Sequence, residues 1–573
     1  MKNTCCVTNK VILESSVLFF VAFLIFPFCV QGYKKTSACS FGYLNFNGYS
    51  SIVPDDDYYS SSWHLSKIEA EKAWEITTGL NSVSVGIIDS GINSVCPDLS
   101  NNIDYILSKD CFSDLRNDPI HDSFGHGTAI ATLVGAEGNN NQDFAGLCWD
   151  TNLVSLRNDD YYGQSNGDAV VSALYYAENN SIPIVNLSSI FATASNYFGL
   201  PIIQSSTANL MNFYCSSYSG LFVVCAGNQG EDLDDYLANP PIYNFTLYPQ
   251  TLSYSNIIVV GASNENDARV ISSIDNTTWS SNYGQNVVDL FAPGKGMSTY
   301  PFDNDTGTIP YPFGGTSAAA PLVAGTAALM KSVNPNLTTS QLKSLIIGNV
   351  DSCTDLTDCC VSGGRLNTYK AVKAAIPEVT TFNSFVNGIQ PLPAGKHQFY
   401  KLSLVPGTYT FETNGNLDTS GFLYGDIQSS PIANSINQSG NFSFTFSTIK
   451  NRTVYLKVIN TSSSTGTYGL KVSTSHLHSY NQYYVQYDGY NHKAYCSCGQ
   501  HQLKPHIADP NNICVMCGGL YTGPMSFPLS EPVLVGNDSH ILPDGTIVLG
   551  STDYNLYLLG ELDLDSMAGG ATT

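Results

Sequence analysis

The feature that most constrains the chain is an alternation. Between residues 63 and 376, short apolar and β-branched runs alternate with stretches of helical periodicity. The runs lie at 83–88, 152–156, 182–187, 221–226, 257–261 and 287–291, with helical stretches at 127–135, 167–179, 202–214 and 318–333. Strands separated by helices do not pair as hairpins. Each returns through a crossover, which yields a mainly parallel sheet covered by helices. The fold class read here is therefore α/β. Apolar residues make up 43% of the 573, which supports a large core.

The pattern changes after Pro377. Residues 382–474 show short alternating strands at 397–402, 408–413, 441–446, 453–458 and 467–472, separated by turn residues. That is the mark of a β-sandwich. Residues 475–523 form a small module rich in Cys and His, and 524–573 read as a tail with room for one hairpin.

The start of the chain reads as an address. Lys2 and Lys10 precede a 14-residue apolar stretch at 17–30, and Val30-Gln31-Gly32 offers small residues for cleavage. Fourteen residues fall short of the ~20 that span a bilayer. Residues 1–32 are thus expected to be a signal peptide, with an uncleaved N-terminal anchor as the alternative. Residues 33–61 follow as a short pro-region or arm. The expected location is extracellular; the alternative is a membrane-anchored or secretory-pathway protein. Sequons at Asn244, Asn276, Asn304, Asn336, Asn437, Asn441, Asn451 and Asn460 agree with a glycoprotein. Asn186 also fits the triplet but falls in a buried strand.

Charge narrows the partners. The net charge is -23, which argues against nucleic acid and anionic membrane, since both need basic patches. No membrane contact beyond the signal sequence is expected, and the chain is read as a monomer. Of 16 cysteines, nine lie between Cys39 and Cys360. In an exported protein they predict disulfides, with one left over, and Cys353, Cys359 and Cys360 are close enough for local bridging.

Four segments carry chemistry. The run Ser84-Val85-Gly86-Ile87-Ile88-Asp89-Ser90-Gly91 ends an apolar strand at an Asp, where α/β sheets present functional side chains. Gly125-His126-Gly127-Thr128 sets a His at a helix start between glycines. Val223-Val224-Cys225-Ala226-Gly227-Asn228 delivers an Asn after Gly, an amide suited to an oxyanion. Gly314-Gly315-Thr316-Ser317-Ala318-Ala319-Ala320-Pro321 places a Ser at the start of an Ala-rich helix, whose N–H groups favour negative charge. Singly, each also fits a turn, a cap or a structural role.

Taken together and in this order, the segments V-G-I-I-D-S-G, H-G-T, A-G-N and G-T-S-A-A-A-P resemble the subtilisin family of serine peptidases. Trp63-His64-Leu65, Pro97-Asp98-Leu99, Asn282-Tyr283-Gly284 and Ala292-Pro293-Gly294 look alike too. The resemblance covers residues 62–376. It implies a three-layer peptidase domain, a secreted serine endopeptidase acting on proteins or peptides; a catalytically silent binding or adhesion protein with the same fold is the alternative. It also implies Ser317 as nucleophile, His126 as general base, Asp89 as the group orienting His126, and Asn228 as oxyanion donor. Ser188, Ser189, Ile190 and Gly227 would line the substrate groove, with Ile190 narrowing it where relatives carry Gly. The usual long pro-domain does not fit between Gly32 and Trp63.

No cofactor is expected for catalysis itself. Two structural metals are considered. Relatives bind calcium near Asp98 and the loop 139–143, which also reads as a plain Asn-rich loop. In the C-terminal module, His476, His478, His492, Cys496, Cys498, His501, His506, Cys514 and Cys517 are interleaved. Cys496, Cys498, Cys514 and Cys517 are the expected zinc ligands, with His501 or His506 able to substitute; two disulfides are the competing reading. Residues 382–474 resemble the pre-peptidase C-terminal sandwich domains of secreted proteases, carried by the Pro-Ala-Gly turn at 393–395, Phe399-Tyr400-Lys401-Leu402 and Gly407-Thr408-Tyr409. The resemblance implies an accessory role.

Overall fold

The computed structural model describes residues 52–112, 118, 121–160, 162–194, 198–237, 244–300, 310–437, 439–474, 483–487, 491–495, 501–507, 513, 516–517, 540–541, 547–550 and 556–559. The expected signal peptide and most of the arm lie outside the described residues.

A parallel sheet forms the centre of the region before residue 377. Strand β1 (Gly79–Asp89) pairs in parallel with β2 (Asp150–Arg157) on one side and β3 (Ile184–Leu187) on the other. Outward from β3 follow β4 (Leu221–Cys225), β5 (Ile257–Ser263) and β6 (Leu290–Pro293), all parallel. Strands β3 to β6 are buried along their whole length, which is why they read as unbroken apolar runs. Two-residue strands at Lys109–Asp110 and Gly364–Arg365 extend the edges. They are too short to leave a sequence signal. β6 starts at Leu290 rather than 287. The Asp289 carboxylate accepts from Val259 N at 2.8 Å, so a side chain takes a donor that strand pairing would use.

Helices cover both faces. Helices α1 (His126–Gly135) and α4 (Thr316–Val333) share one core with Val85, Ile87, Val223 and Ile258. Helices α2 (Gly167–Asn179) and α3 (Ser205–Ser217) share the other with Val154, Val185 and Val224. The three-layer α/β fold expected from the alternation is what forms. In α4 every side chain except Lys331 is buried. Its run of Ala, Gly and Ser lets a helix pack on all sides without clashing with its neighbours.

Residues beyond 380 build two four-stranded antiparallel sheets. One joins Val386–Asn387, Gly469–Thr474, Gly407–Asn414 and Ser443–Thr448. The other joins His397–Leu404, Arg452–Asn460, Thr419–Tyr424 and Ala433–Ser435. They close on a separate core that includes Leu402, Phe411, Leu423, Leu456 and Leu470. The strand Thr419–Tyr424 escapes sequence reading because Gly421 interrupts it. A Cβ there would come within 2.7 Å of the Phe442 ring, so the packing of that ring requires the glycine. Short antiparallel strands also occur at His540–Ile541, Ile547–Gly550 and Leu556–Leu559 in the expected tail.

Two expectations are corrected. Among the described residues Cys96, Cys111, Cys148, Cys215, Cys225, Cys353, Cys359 and Cys360 form no disulfides. Cys148, Cys215 and Cys225 sit inside the cores as small apolar side chains. The thiols of Cys353, Cys359 and Cys360 turn back to the carbonyls of Asp351, Asp355 and Leu356 rather than toward one another. The sequon at Asn460 is fully buried, and its amide donates to Leu392 O and Ser464 O at 2.8 Å each. That Asn has no surface on which to carry a glycan. Asn186 is also fully buried.

The sandwich is joined to the α/β region at the C-terminal end of α4. Gln398 Nε2 donates to Val333 O at 3.0 Å, and Gln390 Nε2 to Ser332 O at 2.7 Å. These amides satisfy carbonyls that a helix end leaves unpaired. Phe399, on a sandwich strand, is buried in the same core as α4. Truncating such a ring costs about 3–5 kcal/mol. Phe399→Ala is therefore expected to lower the unfolding free energy by about 3 kcal/mol or more. Calorimetry should show the two regions melting in one transition. Two well-separated transitions in the parent protein would contradict the coupling.

Candidate active site

The site gathers at the carboxyl edge of the sheet. β1 ends at Asp89, β3 leads into Ser188, Ser189 and Ile190, and β4 leads into Gly227 and Asn228. Helices α1 and α4 begin at the same edge, with His126 and Thr316 as first residues.

Asp89 and His126 meet directly. His126 Nδ1 lies 2.7 Å from Asp89 Oδ1. Ser90 N and Ser90 Oγ also donate to Asp89 Oδ1, at 2.9 and 3.3 Å, and Ser90 Oγ accepts from Gly127 N. The approach is close: a Cβ on Gly127 would lie 2.2 Å from Gly91 O. Only glycine fits beside the histidine there. Asp122 fixes the start of α1. Its carboxylate accepts from Gly125 N at 2.7 Å, Thr128 N at 2.9 Å and Thr128 Oγ1 at 2.7 Å. A carboxylate suits the positive end of a helix. Phe313 stands edge-on to the His126 ring with centroids 5.3 Å apart, which brings the segment before Ser317 against the imidazole.

Asn228 is locked by the start of α4. Its Oδ1 accepts from Thr316 N at 2.8 Å and Thr316 Oγ1 at 3.1 Å. Thr316 Oγ1 in turn accepts from Gly227 N at 2.9 Å. With Oδ1 so occupied, Nδ2 is the amide end beside Gly315; a Cβ on Gly315 would stand 3.1 Å from it. Gly315 has φ +122°, a conformation that favours glycine.

Ser317 and Ser188 form a reciprocal pair. Ser317 Oγ donates to Ser188 O at 3.2 Å, and Ser188 Oγ donates to Ser317 O at 3.1 Å. Pro321, four residues on, has no N–H to offer the Ser317 carbonyl, so the Ser188 hydroxyl takes that place. Ile190 reaches across to Gly227, its Cδ1 standing 3.2 Å from where a Cβ would be. Ser189 Oγ lies 2.6 Å from Ser165 Oγ, and Gln250 Nε2 ties Ser189 O to Cys225 O.

The electrostatics are set by buried carboxylates. Burial alone would lower the His126 pKa. The charge of Asp89 and its hydrogen bond outweigh that, Asp159 and Asp122 add to it, and the net result is about 8. Asp159 was missed by sequence reading. It is 4% exposed and accepts from Ser165 Oγ at 2.8 Å. Burial first, and the charge of Asp89 second, raise its carboxyl above the ordinary range. The signal was Asn158-Asp159-Asp160 at the carboxyl end of β2, which resembles the setting of Asp89 on β1. Thr316, Ser90 and Asp122 were also missed as positioning groups. Two of them lie inside the quoted motifs.

Asp98 is fully buried, and its carboxylate accepts from Phe144 N at 2.7 Å and Asn140 Nδ2 at 3.0 Å. Asp56 accepts from Asn139 N at 2.8 Å, and Asp143 from Tyr300 OH at 2.9 Å. Burial chiefly pushes the Asp98 carboxyl up to about 6, and the charges of Asp143 and Asp56 push the same way. All three carboxylates are buried, and oxygen ligands of this kind suit a hard cation. Of the expected zinc ligands, Cys496, Cys498 and Cys514 lie outside the described residues, while Cys517 is buried. His501 is exposed and His506 buried.

Residues 81–373 match the profile of the Subtilase family. Thermitase from Thermoactinomyces vulgaris is 30% identical over 323 residues, which is 56% of this chain and 99% of that protein. The thermophilic serine proteinase of Bacillus sp. (strain AK1) is 29% identical over 321 residues, 56% of this chain and 69% of that protein. Among solved structures, a protease from Pseudoalteromonas arctica aligns with a TM-score of 0.44 at 23% identity, covering 56% of this chain and 100% of that one. More than half of the chain matches the family profile, and its curated relatives are proteinases: the chain belongs to the subtilase family of serine proteases.

Proposed function

We propose that this subtilase is an exported endopeptidase that cuts peptide bonds through an acyl-enzyme on Ser317. The observation that carries the reading is one convergence. The Asp89–His126 pair packs against Phe313, just before the helix start that bears Ser317, and Thr316 locks the Asn228 amide at that same start.

In this reading Ser317 Oγ attacks the scissile carbonyl carbon while His126 Nε2 takes its proton. Asp89 holds the Nδ1–H tautomer and steadies the imidazolium. The carbonyl oxygen becomes an oxyanion held by Asn228 Nδ2 and Ser317 N–H. As the tetrahedral centre collapses, the C–N bond breaks and His126 gives its proton to the leaving amine. Water repeats the sequence on the ester and frees Ser317. The bond from Ser317 Oγ to Ser188 O belongs to the resting site; catalytic hydrogen bonds often tighten only with substrate. Ser188, Ser189, Ile190 and Gly227 line the groove, with Ile190 limiting its width. Export rests on the expected signal peptide and sequons. Among the described residues no helix is long and apolar enough to cross a membrane. Asp98, with the loop at 139–143, would hold calcium, whose part is to fix that loop.

Kinetics on a chromogenic peptide test the roles. Ser317→Ala is expected to abolish turnover. Asn228→Ala should lower kcat by about 100- to 1,000-fold with little change in KM, a magnitude established on subtilisin and carried over to its relative. Full activity in Ser317→Ala would refute the reading.

The pH profile tests the electrostatics. Protonated His126 cannot accept the serine proton, so kcat/KM should fall as pH drops through about 8. Asp159→Asn removes a nearby negative charge and should move that limb to lower pH. An unmoved limb would remove Asp159 from the account.

Calcium is tested by chelation. EGTA should lower the melting temperature of the parent protein, and Asp98→Asn should lose that response. A melting temperature indifferent to EGTA would rule the site out.

A further inference from the structure

The strands Tyr483–Gln486, Asn491–Tyr495 and His501–Pro505 form a three-stranded antiparallel sheet of their own. Among the described residues of 483–517, those that are buried are His492, Ala494, His506 and Cys517. Two imidazoles, a thiol and one methyl group supply little apolar burial. Modules of this size rely on a metal or on disulfides instead.

The three polar side chains face one another. His492 sits opposite Lys504 in the strand register, and His506 lies two residues beyond Lys504, which alternation brings to the same face. The His492 and His506 rings stand 5.5 Å apart at 67°. Cys517 Sγ lies 3.4 Å from His506 Nδ1. One ligand atom from each of His492, His506 and Cys517 falls within 4.8 Å of the others. Ligands at zinc distances on a tetrahedron stand ~3.3–3.8 Å apart, so a small contraction places all three on one ion. Tyr484 packs edge-on against His492 at 4.9 Å and holds that ring in place.

We propose that His492, His506 and Cys517 bind a zinc ion and that this ion organises the C-terminal module. The assignment changes the ligand set expected from cysteine spacing, which gave all four positions to sulfur. Mixed nitrogen and sulfur ligands suit zinc, whereas the carboxylates at Asp98 suit calcium. Zinc uses all three groups. Binding draws the proton from the Cys517 thiol, and the thiolate becomes a ligand. Zinc takes four ligands, and the fourth is left to be counted by experiment.

The test uses the full chain, purified without chelator. Metal analysis by mass spectrometry should find one zinc per molecule. The cobalt-substituted protein should show tetrahedral ligand-field bands and a thiolate-to-cobalt charge-transfer band. Cys517→Ser, His492→Gln and His506→Gln should each weaken zinc retention in a metal buffer by at least about tenfold. Cys517→Ser should also weaken the charge-transfer band, while hydrolysis of a small peptide stays at the parent rate. The parent cobalt spectrum needs no variant, so it decides the matter if a variant fails to fold. A zinc-free parent protein, Cys517 recovered in a disulfide, another transition metal in place of zinc, or full zinc retention in Cys517→Ser would each overturn the proposal.

Discussion

The structure depends on the burial of one helix. Thr316–Val333 runs through the core with every side chain but Lys331 enclosed. A helix buried on all sides can expose neither bulky side chains nor unpaired ends. The first demand explains the Ala- and Gly-rich sequence. The second explains its neighbours. At the N-terminal end, Asn228 accepts from Thr316 N, and at the C-terminal end Gln398 and Gln390 donate to Val333 O and Ser332 O. One helix therefore ties the site residues at one end to the sandwich at the other. The sandwich is packed against the peptidase through that helix end.

The same economy runs through the site. Asn228 Oδ1 and Thr316 Oγ1 satisfy one another's neighbours and orient the amide without a further residue. Asp122 caps the first turn of the helix that opens with His126. Asp89, Asp122 and Asp159 together surround one imidazole, and their combined charge outweighs the penalty of burying it. The same charges make the neutral imidazole a stronger proton acceptor.

Much of this was legible in the sequence, for physical reasons. Parallel strands buried on both faces must be continuously apolar, so β1 to β5 stood out. Asp89, His126, Asn228 and Ser317 sat in motifs with glycines that only close approach explains. What was not legible depended on tertiary neighbours. Asp159 gains its character from Asp89 and His126, which are distant in sequence. The strand at Thr419–Tyr424 was hidden by Gly421, whose role is to admit the Phe442 ring. Cysteine counting failed once: it predicted disulfides where the described thiols form none.

The most direct test of the central claim is covalent. A fluorophosphonate reacts only with an activated serine, so labelling of the purified protein followed by peptide mass spectrometry asks one question of one atom. The account predicts a single modified peptide containing Ser317, with labelling lost on heat denaturation and absent from His126→Ala. Folded protein that takes no label, or label on another serine, would contradict it.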